Sequence, residues 1–136
     1  MADQRIQVPP NCELTLGMRC VEKSVPGRTI WQMWADERFA NPAGIIQGGF
    51  LGAMADSAMG SAVITFAGAS ARRVVAVNLE AKTTFLSAAR VGTLLECTAS
   101  VLAGGSRVVF AEAEVADGDG DLVARASSTF LLTDRE

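Results

Sequence analysis

Histidine and tyrosine are absent from all 136 residues. The missing histidine excludes the most. Without imidazole there is no Ser-His-Asp triad and no His-ligated metal, and the commonest way of activating a nucleophile near neutral pH is gone. Cysteine is scarce: Cys12, Cys20 and Cys97 form an odd set with no C-x-x-C pair, so no zinc site and no other metal is expected. Basic charge is scarce as well. Twelve Lys and Arg stand against fifteen Asp and Glu, for a net charge of −3, which argues against nucleic acid as a partner. No apolar run follows Met1-Ala-Asp-Gln-Arg, and the apolar stretch 44–71 is interrupted by Gln47, Asp56 and several glycines. Neither reads as a signal peptide or a membrane span. The sequence therefore predicts a cytoplasmic protein with no membrane partner.

What is present suits a packed core. The chain is 49% hydrophobic and 20% charged, at the length of one domain, with residues 1–10 a loose lead-in ending in Pro9-Pro10. Asn11 is placed to cap a short helix through Leu16 that Gly17 ends. Strand-like runs cover 18–25 and 29–39 around the turn Pro26-Gly27. A loop, 41–49, opens into a helix over 49–67 that is apolar on nearly every side and so expected to be buried. Beyond Arg73 the apolar period changes from 3.6 to 2. Val75, Val77, Leu79, Ala81, Thr83 and Phe85 make one face of a strand, and three more strands follow over 92–102, 107–116 and 122–132. One long helix followed by a four-strand antiparallel meander predicts an α+β fold with the helix on the concave side of the sheet.

Asp56 is the residue that needs a reason. It lies in the middle of the apolar helix, where an isolated carboxylate costs several kcal/mol in desolvation unless it is paired, wet or protonated. Desolvation there raises a carboxyl pKa, which suits a general base. Gly49, Gly52 and Gly60 share its helical face, and each interior glycine costs about 1 kcal/mol against alanine. Together with Met59 they describe a trough for a substrate or a second subunit; close helix packing is the competing explanation. At the start of the helix, Gln47-Gly48-Gly49 presents free backbone N–H groups at the positive end of the dipole, with the Asn41 and Gln47 amides beside them. Such a terminus can hold the negative charge that develops on a carbonyl oxygen. Trp31, Trp34, Phe85, Phe110, Phe130 and Cys97 read as core.

The spacing Asn41-x2-Gly44-x2-Gln47-Gly48-Gly49, with Asp56 nine residues after Gln47, resembles the motif of hotdog-fold acyl-CoA thioesterases of the PaaI-like group. The resemblance extends from about residue 14 to 132. It implies a homodimer with two active sites at the interface, able to pair again into a tetramer. It also implies that Gly48 N–H and the Asn41 amide bind the thioester carbonyl, with Asp56 of the opposing subunit as base or nucleophile. Asn78 falls where relatives hold the attacking water with Ser or Thr, although the strand phase read above puts it off the apolar face. Gln47 departs from the family, which usually has His there; the amide keeps a donor and an acceptor but loses proton exchange. Arg90, Ser106 and Arg107 fall where relatives meet the CoA phosphates, and the Arg72-Arg73 pair is a further candidate. No cofactor is implied beyond the CoA of the substrate. A non-catalytic acyl-CoA-binding protein on the same fold is the alternative, and a carrier-protein thioester is an open variant of the substrate. A hotdog dehydratase ranks lowest, because it would need a histidine.

Overall fold

The computed structural model describes residues 11–135, apart from the side chains of Ala69 and Arg72; the N-terminal lead-in lies outside that range. Asn11 accepts a hydrogen bond from Leu14 N through its side chain, starting α1 (Cys12–Leu16), and Gly17 closes it in the left-handed region at φ 72°. Strands β1 (Arg19–Glu22) and β2 (Arg28–Trp34) form a hairpin. The second sequence-predicted strand thus ends five residues early: Glu37–Phe39 make a 3-10 turn capped by Asp36. Next come α2 (Gly48–Ala67) and strands β3 (Val74–Phe85), β4 (Leu94–Gly104), β5 (Val108–Ala116) and β6 (Leu122–Asp134).

All six strands form one antiparallel sheet in the order β1-β2-β4-β5-β6-β3. The expected four-strand meander is therefore wrong in one link. β4, β5 and β6 follow in turn, but β3 crosses over to pair with β6, and β4 takes β2 as its other neighbour. The physical reason is the helix between them: α2 follows β2 and packs across β4, β5 and β6, so the strand that leaves its far end joins the edge opposite the β1–β2 hairpin.

The sheet buries one side of α2. Leu51, Met54, Ala55, Ala58, Met59, Ala62 and Val63 are buried against inward-facing Met33, Leu95, Cys97, Val109, Val115, Val123 and Phe130. By length and composition α2 could cross a membrane, but this packing makes it the core helix of the fold. Met59 is fully buried here, so it does not line an open trough as the sequence suggested. Trp34, Phe85 and Phe110 depart the other way: each is about half exposed, while Phe130 is core and Trp31 is partly buried.

One irregularity controls the site. The register between β3 and β6 shifts between Asn78 and Glu80, a β-bulge that reverses the strand's phase. Before it Val74 and Ala76 pack on the core, whereas Val75, Val77 and Leu79 are exposed. After it, Thr83 and Phe85 face the helix, beside Gly52 and Gly48. The single alternating face expected for β3 is correct only beyond the bulge.

Candidate active site

The entry to α2 is built by backbone hydrogen bonds that the loop residues themselves direct. Asn41 Oδ1 accepts from Ala43 N at 2.9 Å and Ile45 N at 3.1 Å, folding the loop on itself. Gly44, at φ 77°, supplies the left-handed residue of that turn. Ile46 N donates to Ala89 O and Gln47 N to Phe39 O, each at 2.8 Å. The Phe39 and Phe50 rings stack with centroids 4.5 Å apart, clamping the first turn of α2 to the loop. Gln47 occupies the N-cap position, and no side chain caps the helix. The first N–H groups of α2, at Gly48 and Gly49, thus face a cleft of about 590 Å³. Asn41, Gln47, Phe85 and Leu86 line it too. The Asn41 carbonyl oxygen is already committed to the loop, so its NH2 group is what remains for a ligand.

Gly48 is glycine for a spatial reason. A Cβ there would stand 2.7 Å from Phe85 Cζ, so the ring lies directly over the helix terminus. At Gly52 and Gly60 the situation differs. Added methyl groups would meet Thr83 Oγ1 at 3.8 Å and Phe130 Cε1 at 3.7 Å, both ordinary contacts. Close packing within this chain therefore does not account for those two glycines.

Asp56 opens onto two adjoining spaces. One is a groove of about 400 Å³ between α2 and β3 that includes Gly49, Gly52 and Thr83. The other is a slot of about 570 Å³ that continues along the helix past Gly60 and Ser61 between the β1 and β3 sides. The carboxylate is exposed, so the desolvated setting expected from its apolar helix neighbours is not found in the single chain. The sheet covers the opposite side of α2 and leaves this one open. Asn78 Nδ2 donates to Asp56 Oδ1 at 2.7 Å and to Ser128 Oγ at 3.2 Å. The bulge brings Asn78 there, against the solvated alternative raised by the strand phase. Asn78 Oδ1 is buried and has no described partner.

The remaining candidates divide by position. Arg90 is exposed and bridges to Ile45, next to the loop that leads into Gly48. Ser106 and Arg107 sit in the β4–β5 turn, where Arg107 O accepts from Leu132 N. That turn lies at the end of the sheet near the close of α2, so one chain does not bring it to Gly48. Arg73, exposed just before β3, is at the same end, and the side chain of its neighbour Arg72 lies outside the described structure. Cys97 is buried, and burial pushes its thiol up to about 12. Such a thiol stays protonated and is no nucleophile. Sequence reasoning missed Phe85, assigned to the core, and Ser128. It missed also the hydroxyl chain below the slot, in which Trp31 Nε1 donates to Ser61 Oγ, Ser61 to Thr29 Oγ1 and Thr29 to Ala58 O, each at 2.9 Å. The half-buried indole was the one available signal for that chain, since a Trp N–H below the surface needs an acceptor. In the β5–β6 turn three carboxylates, Asp117, Asp119 and Asp121, converge within 4.8 Å. Asp117 Oδ1 there accepts from the backbone N–H of Asp119 and Asp121, which accounts for that residue by turn geometry.

Residues 43–124, more than half of the chain, match the family model described as Thioesterase superfamily. Acyl-coenzyme A thioesterase 13 of Homo sapiens is 26% identical over 120 residues, covering 88% of this chain and 83% of the relative. A conserved protein of Pseudomonas aeruginosa superposes with a TM-score of 0.80 at 30% identity, covering 89% of this chain and 92% of that one. The E. coli PaaI protein from the phenylacetic acid degradation operon superposes with a TM-score of 0.81 at 21% identity, covering 90% and 83%. The helix wrapped by a six-stranded antiparallel sheet is the hotdog fold of these neighbours.

Proposed function

The chain belongs to the thioesterase superfamily, and on that footing we propose that it hydrolyses an acyl-CoA thioester to a carboxylic acid and free CoA. The observation that carries this reading is Asp56, held by Asn78 at 2.7 Å on the side of α2 that the sheet leaves open, on the same helix whose uncapped start faces a cleft of its own. Gly48 N–H and the Asn41 NH2 polarise the thioester carbonyl. Asp56 takes one proton of a water whose oxygen attacks the carbonyl carbon. The resulting oxyanion rests on the helix terminus; it then collapses, breaks the C–S bond and expels CoA thiolate, which is protonated. Direct attack by Asp56, through an anhydride that water then opens, uses the same geometry.

The two halves of this site belong to different copies of the chain. Asp56 follows Gly48 by eight residues on one helix, about 12 Å at 1.5 Å per residue. A carboxylate that far along the axis is out of reach of a carbonyl bound at its own Gly48. A homodimer supplies the second half. Two features of β3 support it: it is an edge strand of the sheet, and Val75, Val77 and Leu79 on it are exposed. Pairing of two such dimers, the CoA contacts of Arg90, Ser106 and Arg107, and the cytoplasmic setting belong to the same proposal.

Thiol release from a panel of short, long and aryl acyl-CoAs, followed with DTNB, tests it. Hydrolysis of at least one substrate is expected, with Asp56→Asn and Asp56→Ala slower by about 100-fold or more. A folded Asp56→Asn protein as fast as the wild type overturns the mechanism. A second reading, a non-catalytic acyl-CoA-binding protein, is favoured by Gln47, which offers no proton exchange beside the carbonyl site. It requires saturable binding without thiol release, and turnover gained by Gln47→His.

A further inference from the structure

We propose that Ser128, a buried hydroxyl on β6, is a positioning residue for the site, acting on Asp56 through the Asn78 amide. This rests on the hydrolytic reading of Asp56 given above. Ser128 is 5% exposed, and Thr29 is the only other buried polar or charged residue among those described. It lies on the inward face of β6 between buried Ala126 and Phe130, where an alanine would satisfy the packing. A buried hydroxyl is costly without a hydrogen-bond partner, so its presence calls for a polar neighbour.

That neighbour is Asn78. Its Nδ2 group has two N–H bonds, and the structure accounts for both: one goes to Asp56 Oδ1 at 2.7 Å and the other to Ser128 Oγ at 3.2 Å. The two acceptors lie on different elements, α2 and β6, and the amide bridges them. With only the Asp56 bond, the amide would be free to swing about that single contact. The second bond fixes its plane, and with it the direction in which Asp56 Oδ1 is held. It also decides where Asn78 Oδ1 points, and that oxygen is buried with no described partner beside the carboxylate. The β3 bulge makes the bridge possible, since it leaves Asn78 next to Ser128 while the following residues, Leu79 and Glu80, are exposed. Thr129, adjacent on β6, points the other way and donates to Glu80 Oε1 at 3.1 Å on the outer face.

A double-mutant cycle on the full-length protein tests this, with thiol release as one readout and the Asn78 side-chain NH2 resonances as another. Ser128→Ala should lower kcat about tenfold, the loss expected of one hydrogen bond, with KM changed less than about twofold. Ser128→Thr, which keeps the hydroxyl, should recover most of the rate. Thr129→Ala, which removes a hydroxyl from the same strand on the other face, should leave kcat unchanged. In an Asn78→Ala background, Ser128→Ala should have less than about a twofold further effect, because its route to Asp56 is already cut. In spectra of the wild type both Asn78 NH2 protons should be protected from exchange, and Ser128→Ala should release one of them. Equal losses in the two backgrounds, or an unchanged Asn78 NH2 signal in Ser128→Ala, overturn the proposal. Failure of the hydrolytic reading is seen separately, as Asp56→Asn retaining full rate or the wild type releasing no thiol. The NH2 resonances still decide the role of Ser128 in that event.

Discussion

Asn78 Nδ2 donates to Asp56 Oδ1 at 2.7 Å, joining the edge strand of the sheet to the middle of the central helix. An amide is suited to this place because it offers a donor to a carboxylate without bringing a charge. Asn78→Asp would set a second carboxylate against the first. The variant should lose stability as pH rises from about 4 to about 7, because ionised like charges at contact distance repel. Thermal melts across that range check it; the wild type should show no comparable fall, and hydrolysis by the variant should drop at least about tenfold.

Gly48 and Phe85 make a second testable pair. The Cβ of Gly48→Ala would stand 2.7 Å from the Phe85 ring tip, and the ring, half exposed, can swing aside. The fold should survive with Tm little changed, while displacement of the ring alters the cleft where the carbonyl docks. A fall in kcat/KM of about tenfold is expected, measured by thiol release beside a melting curve.

Gly52→Ala separates stability from function. There is room for the methyl group within the chain, so removing a helix-interior glycine should stabilise the helix by about 1 kcal/mol. The same methyl protrudes into the groove that Asp56 shares. Stability should rise and activity fall; a rise in both would remove Gly52 from the substrate path.

Met59, which helical spacing alone would assign to the substrate trough, is fully buried. Met59→Ala should therefore cost about 2–5 kcal/mol in denaturant unfolding through the cavity it leaves. Below its melting temperature the variant should keep a KM close to that of the wild type.

The Cys97 thiol, raised from its ordinary 9.0 to about 12 by burial, predicts alkaline sensitivity. The folded chain keeps this proton where the unfolded chain releases it, so the contribution is intact below about pH 9 and is lost as pH climbs towards about 12. Melting temperature should fall over that window, and less steeply in Cys97→Ala. Thiol reagents applied to the native protein should modify exposed Cys12 and spare Cys97.

Much of this protein could be read from local patterns. The uninterrupted apolar run of α2, the alternation of β5 and β6, the Asn11 cap and the Gly17 stop are all contained within a few residues each, and so is the spacing from Gln47 to Asp56. Those patterns decide which elements form and that a carboxylate and a helix terminus lie on one helix. The tertiary structure alone decided the rest. Sheet closure sent β3 to pair with β6, and the bulge after Asn78 reversed the strand's phase, which no period-2 count can foresee. From that reversal follow the contact of Asn78 with Asp56, its bridge to Ser128 and the placing of Phe85 over Gly48. Burial behaved the same way. Met59 and Asp56 are three residues apart on one helix, yet the sheet covers one and leaves the other open. The amino-acid order sets the period of each element, but pairing register and enclosure are long-range properties, settled only when distant strands close around the helix.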